Sequence, residues 1–213
     1  MNHVLVGVGW ALVGVSAGWV TRWGSVRLAR LEELEPGFKA WQVYGPPILA
    51  ALLFGIFAYG LGAGPALIID SFFVIVFVQV IFFDLEHRLI LDRVIFPSMV
   101  LALVLSLFRH PWWAGLATGI AAGTLFLFLA WLGAAIFRAE ALGFGDVKLA
   151  LFMGLLLGPL PVVQAVFYGV FLAGIAAVGV IVVKRSLKET IAYGPYLSAG
   201  ALIVLVLEGG KPP

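Results

Sequence analysis

The sequence predicts an all-α fold, a polytopic integral membrane bundle of about eight transmembrane helices, and three observations carry that expectation. Of the 213 residues, 63 % are hydrophobic and only 11 % are charged, which is more apolar surface than a water-soluble core of this size can enclose. Apolar runs near the length needed to cross a bilayer as a helix, about 20 residues, recur along the whole chain. The basic residues fall almost entirely in alternate gaps between those runs, the asymmetry that keeps positive loops cytoplasmic.

The first run, Val4 to Val20, has its positive charges behind it, at Arg22, Arg27 and Arg30. A cleaved secretory signal carries them in front, so this run reads as an uncleaved first span. The others are Pro46 to Gly62, Ala66 to Phe83, Val94 to Phe108, Ala114 to Phe137, Val147 to Leu157, Pro161 to Val183 and Ile191 to Leu207. The sixth is the shortest. Only Gly158-Pro159-Leu160-Pro161 parts it from the seventh, a sequence typical of a tight turn between antiparallel helices; joining the two leaves a seven-span count open.

Eleven of the thirteen Lys and Arg residues follow spans one, three, five and seven, with only Arg109 and Lys211 on the other side. Eight spans with both termini outside explain that division. The longest polar segment, Thr21 to Tyr44, holds Glu32, Glu33 and Glu35 and is expected on the cytoplasmic surface. Gly115, Gly119 and Gly123 recur every four residues in the fifth span, which aligns small residues into a packing seam.

Composition also narrows function. A net charge of +2 without a basic stripe argues against nucleic acid as a partner. The chain has no cysteine, which removes disulfides, thiolate metal sites and cysteine nucleophiles together. His3, His87 and His110 have no metal-ligand spacing, so no metal site is expected.

Two aspartates stand out at the expected cytoplasmic edge. Asp84 ends the third span, and Asp146 directly precedes the sixth in Gly143-Phe144-Gly145-Asp146-Val147-Lys148. Taken singly, the first reads as an interfacial helix end and the second as a helix cap. Glycines beside Asp146 also leave room for an extended peptide to approach a carboxylate. Brought together, two carboxyls share one proton, because like charges cannot both ionise at short range; such a pair can polarise a peptide carbonyl and activate water. The helix dipoles and Lys148 predict resting Asp84 as the acid and Asp146 as the base. Glu86 and Asp92 read as solvated loop charges that could hold the loop near a basic peptide. Asp70 lies fourteen residues before Asp84, about 20 Å away along one helix, and belongs to the outer edge.

The segment Gly143-Phe144-Gly145-Asp146-Val147-Lys148-Leu149 resembles the Gly-x-Gly-Asp-x-Lys signature of type IV prepilin peptidases, intramembrane aspartic proteases. Asp84, with the Leu-Ile-x-Asp segment ending at Asp92, resembles their first aspartate motif, and Ala192-Tyr193-Gly194-Pro195-Tyr196 is similar to the segment that opens their last helix. The resemblance runs from about residue 46 onward and is faint before it. It implies a membrane-embedded peptidase core over residues 46–213, behind a first helix and loop, 1–45, that corresponds to a degenerate or absent methylation-associated region.

The activity implied is removal of the short basic leader of prepilins or pseudopilins, after glycine, at the cytoplasmic face of a bacterial or archaeal-type inner membrane. Asp84 and Asp146 would be the catalytic pair, Gly143 and Gly145 would shape the loop, and Lys148 would support its aspartate. Glu86, Asp92, Tyr193, Gly194 and Pro195 are further supporting or substrate-binding candidates, Pro195 as a helix initiator. Proteolysis of this kind takes no cofactor. Many members also methylate the new N-terminus with S-adenosylmethionine, and many of those carry paired Cys-x-x-Cys motifs that this chain lacks; some members lack the cysteines, so methylation with that cofactor stays open as a second activity, although Ser16 to Arg22 and Ser25 to Leu28 match the associated segment only slightly. Leu91 stands where the family usually has proline. The rival class is a small multi-pass transporter or proton pathway, which would place its acids near mid-membrane in inverted repeats. The precursor and the oligomeric state are left open.

Overall fold

The structure is a computed structural model that describes residues 3–137, 142–184 and 192–208. Among them lie eight helices: α1 (His3–Leu31), α2 (Ala40–Leu61), α3 (Pro65–His87), α4 (Asp92–Leu107), α5 (Ala114–Phe137), α6 (Phe144–Leu157), α7 (Pro159–Lys184) and α8 (Gly194–Glu208). The expected helical membrane bundle is therefore observed. Five helices, α1, α2, α3, α5 and α7, are long and apolar enough to cross a membrane. The other three have 16, 14 and 15 residues and rise only about 21–24 Å, short of a hydrocarbon core about 30 Å thick.

Two boundaries differ from the sequence reading. α1 continues eleven residues beyond Val20, to Leu31, so most of the supposed loop from Thr21 is helix. α2 begins at Ala40 and carries Pro46 and Pro47 in its interior, although proline normally marks a first turn. Both prolines are buried, and α1 crosses directly over them. α6 and α7 are separate helices, divided at Gly158, whose φ of 80° is left-handed backbone that glycine adopts without a Cβ clash. The joining of the two, from which a seven-span count would follow, is not observed. Arg138, Arg185, Lys188 and Lys211 of the charge count, and Ile191 of the last expected span, lie outside the described residues.

The chain divides into two compact units. The first comprises residues 1–88 with 205–212. Here α1 and α2 meet backbone to backbone: a Cβ on Gly14 would stand 2.6 Å from the Ala50 carbonyl oxygen, and one on Gly18 only 2.3 Å from the Pro47 Cα. Small residues let helices approach so closely. The core of this unit is the buried face of α3, with Phe73, Val74, Phe77 and Val78 fully enclosed. The Trp10 indole N–H donates to the Ser71 hydroxyl at 2.8 Å.

The second unit comprises residues 89–204. The glycine seam expected in α5 is there: Gly115 abuts Ser106, and Gly119 and Gly123 abut Leu155 and Leu151. Gly154 of α6 completes it, with space for a Cβ only 2.7 Å from the Gly119 Cα. α4 and α6 run in the same direction. Lys148 Nζ meets Asp92 Oδ1 at their first turns, while Arg109, just past α4, donates to the Leu156 carbonyl at the last turn of α6. α5 and α7 keep most of their apolar side chains outward, as lipid-facing helices do.

Candidate functional site

Asp84 lies in the last turn of α3, with its side chain buried. The terminal carbonyls of a helix have no partner within it, and this end is closed by Arg88, whose N–H donates to the Asp84 carbonyl at 2.8 Å. Arg88 does so in left-handed conformation, φ 54°, which turns the chain out of the helix. Below, Gly45 of α2 leaves room for the Phe82 ring, which would overlap a Cβ at 2.3 Å.

Glu86, two residues on, is not the solvated loop charge expected from the sequence. Its side chain is only 6 % exposed. Arg22 Nη1 donates to Glu86 Oε2 at 3.0 Å, the Gly37 N–H donates to Glu86 Oε1, and Arg22 Nη2 donates to the Gly37 carbonyl. Guanidinium, carboxylate and the backbone N–H and carbonyl of one residue, Gly37, thus form a closed ring of hydrogen bonds. His87 Nε2 stands 3.3 Å from Glu86 Oε1. The Gln42 amide packs against Gly37, 2.2 Å from where a Cβ would stand, and its oxygen accepts the Lys39 N–H at 2.8 Å. Two charges removed from water in this way hold only as a pair; deleting one partner costs about 3–5 kcal/mol.

Farther along the same α1 face, the Ser25 hydroxyl donates to Gln79 Oε1 at 3.0 Å, and both residues are buried. Sequence reasoning took Arg22 as a topological charge and as the end of the slight match to the methylation-associated segment, and missed its inward role. The available signal was the small-residue series Gly14, Gly18, Thr21, Ser25 and Ala29, which keeps helical spacing straight through it.

Asp146 occupies the third position of α6, whose N-cap is Gly143. It is therefore not the cap itself. Its own N–H donates to the Gly143 carbonyl at 3.0 Å, and its carboxyl accepts the Gly143 N–H, so the acid is held by the backbone of its own turn. A Cβ on Gly143 would lie 3.5 Å from Asp146 Oδ2, ordinary contact. Gly145 is different: a Cβ there would meet the Ile90 Cβ at 3.0 Å. The missing side chain of Gly145 is thus filled by Ile90, rather than left open to an approaching peptide.

Lys148 turns from Asp146 to Asp92, at 2.5 Å, and rests between the Phe96 and Phe144 rings. The support expected for Asp146 goes instead to the first turn of α4. The division of roles between a resting acid and base loses that ground, and since Asp84 and Asp146 are both buried, at 5 % and 8 % exposure, enclosure does not separate them either. Asp92 is 53 % exposed at its side chain, in keeping with the solvated reading given to it. Tyr193 is exposed at the start of α8, where Gly194 and Pro195 are buried in the first turn and the Leu197 N–H donates to the Tyr193 carbonyl. Among the described residues, no group of three or more His, Cys, Asp or Glu side chains is placed to hold a metal.

Residues 71–178, half of the chain, match the family model described as the type IV leader peptidase family. No curated protein and no solved structure matches the sequence.

Proposed function

The chain belongs to the type IV leader peptidase family, and on that premise we propose that it removes the leader of prepilins or pseudopilins with Asp84 and Asp146 as a two-carboxylate catalytic pair. One acid, ionised, takes a proton from water. The other, protonated, donates to the carbonyl oxygen of the scissile amide as hydroxide adds to its carbon. On collapse of that tetrahedral species the C–N bond breaks, the first acid passes its proton to the leaving amine nitrogen and the second recovers its own from a hydroxyl of the diol, so both acids return to their starting states and water is the only co-reactant.

The observation that carries the reading lies in the second unit. The Lys148–Asp92 ion pair and the contact of Gly145 with Ile90 set the beginning of α6 against the beginning of α4. On the count of basic residues, the sequence puts both acids at the cytoplasmic edge. A substrate with a short basic leader, a glycine and an apolar helix suits a site where lipid meets water.

The proposal is confined to proteolysis. Arg22 and Ser25, in the stretch slightly similar to the methylation-associated segment, spend their side chains on Glu86 and Gln79. Incubation of the enzyme and processed peptide with S-adenosylmethionine should leave the peptide mass unchanged; a gain of one methyl group refutes that restriction.

The test is leader cleavage in membranes containing the parent protein, Asp84→Asn or Asp146→Asn. The parent should process the precursor and each single variant should fail. Full processing by either would reject the paired mechanism, and solute transport that survives both changes would favour the transporter class.

A further inference from the structure

We propose that Arg22 and Glu86 are positioning residues for proteolysis: their ion pair, closed through the backbone N–H and carbonyl of Gly37, fixes the last turn of α3 and with it the carboxyl of Asp84. The inference rests on the catalytic reading of Asp84. It extends the peptidase to α1 and to the connector at residues 32–39, both upstream of the segment 71–178 that the family model matches.

The Arg88 N–H closes this helix end at the Asp84 carbonyl, but the carbonyls that follow lack intrahelical partners, so an acid three residues from the end of α3 sits in the turn with the fewest backbone restraints. Catalysis does not tolerate that freedom, since displacement of a reacting group by about 1 Å can cost on the order of 100-fold in rate. Glu86 follows Asp84 by two residues, roughly 200° around the helix, so each faces a different side of one turn. Holding Glu86 therefore sets the rotation of Asp84.

The hold is built from three segments. Arg22 comes from α1, Gly37 from the connector and Glu86 from α3, and each of the three polar links is satisfied by another member. The Arg22 and Glu86 side chains are 7 % and 6 % exposed, and the Phe38 ring lies 6.0 Å from the guanidinium. A planar fork reaching two acceptors fixes orientation as well as distance, which a point charge at the same place does not. No step of the cleavage consumes either residue, so the burial of this pair needs another account, and positioning supplies it.

The test uses purified full-length enzyme in lipid nanodiscs, with a peptide carrying a basic leader, a glycine and an apolar helix. Rates are expressed per folded molecule, as measured by thermal unfolding. Arg22→Gln should lower kcat on the order of 100-fold while KM stays within about threefold, and Arg22→Lys should recover part of the loss because one of the two links survives. The double variant Arg22→Met/Glu86→Leu leaves no lone buried charge, so it keeps the fold while the hold is gone; its kcat should remain low.

Parental kcat in the folded double variant would overturn the proposal. So would a loss of activity that merely tracks loss of folded protein across all three variants, which reduces the pair to a structural tie. Asp84→Asn, run alongside, separates the two levels: if it cleaves normally, the catalytic reading fails, whereas an inactive Asp84→Asn beside a fully active double variant fails the positioning role alone.

Discussion

The two acids are held by different means, and the contrast explains what each part of the chain contributes. Asp84 ends a helix whose last turn is tied by a buried ion pair to Arg22, 64 residues upstream of Glu86, and by a hydrogen bond to Gly37, 49 residues upstream. Asp146 begins a helix and is held locally, by the Gly143 backbone and by the close approach of Gly145 to Ile90. A helix N-terminus offers free N–H groups to a carboxylate, whereas a C-terminus offers only carbonyls. An acid at a helix start can therefore be fixed by its own turn, and one at a helix end needs outside help.

The largest expected effect tests both sides equally. Asp84→Asn and Asp146→Asn should each lower leader cleavage at least 1,000-fold, the scale of a lost general acid or base (~10²–10⁴), in a single-turnover assay. A variant that retained a tenth of the parental rate would break the symmetry of the pair.

Next comes stability on the Asp84 side. Arg22→Ala should destabilise the protein by about 3–5 kcal/mol, the cost of stranding a buried carboxylate, read as a lowered unfolding midpoint in detergent. A loss below about 1 kcal/mol would mean that Glu86 finds water and that the contrast is overstated.

On the Asp146 side, Gly145→Val should cost about 1–3 kcal/mol through overpacking against Ile90 and slow cleavage by about tenfold or more. Gly145→Ala should do less. Gly145→Ala combined with Ile90→Ala should cost less than the sum of the two single changes, a coupling expected of residues in contact; additivity would show that the glycine serves something else.

The smallest effect is at Lys148. Its partner is the largely exposed Asp92, so Lys148→Met should change stability by no more than about 1 kcal/mol and kcat by less than about threefold. A collapse of activity would restore the direct support of Asp146 that the sequence suggested.

Much of this was legible in the sequence because membrane helices announce themselves. Runs of apolar residues, the Gly158-Pro159 break and the glycine repeat of α5 each have one physical reading, and the structure has all three. The extent of α1 was not legible by hydropathy, since Arg22, Arg27 and Arg30 interrupt the apolar run while the helix continues. Hydropathy averages over a window, but burial depends on which face a residue occupies, and Arg22 lies on the inward one. Pro46 and Pro47 misled in the opposite direction, marking a start where α2 was already two turns old.

At the candidate site, spacing pointed to Asp84 and Asp146, but not to the partners of Glu86 or Lys148. Those are tertiary facts: Arg22 and Glu86 are 64 residues apart, Lys148 and Asp92 56. A charge read in its local context looks solvated whenever its partner is distant.

The central claim is that the two carboxyls meet, and the absence of native cysteine allows it to be tested directly. In the double variant Asp84→Cys/Asp146→Cys, mild oxidation in the membrane should form an intramolecular disulfide, which requires Cα atoms about 4.4–6.8 Å apart, or a short bifunctional maleimide should join the two thiols. The account predicts such a cross-link, reversible by reductant in the first case and enhanced by a leader-bearing peptide. Thiols that each react singly yet are never joined by either route, with or without peptide, would contradict it.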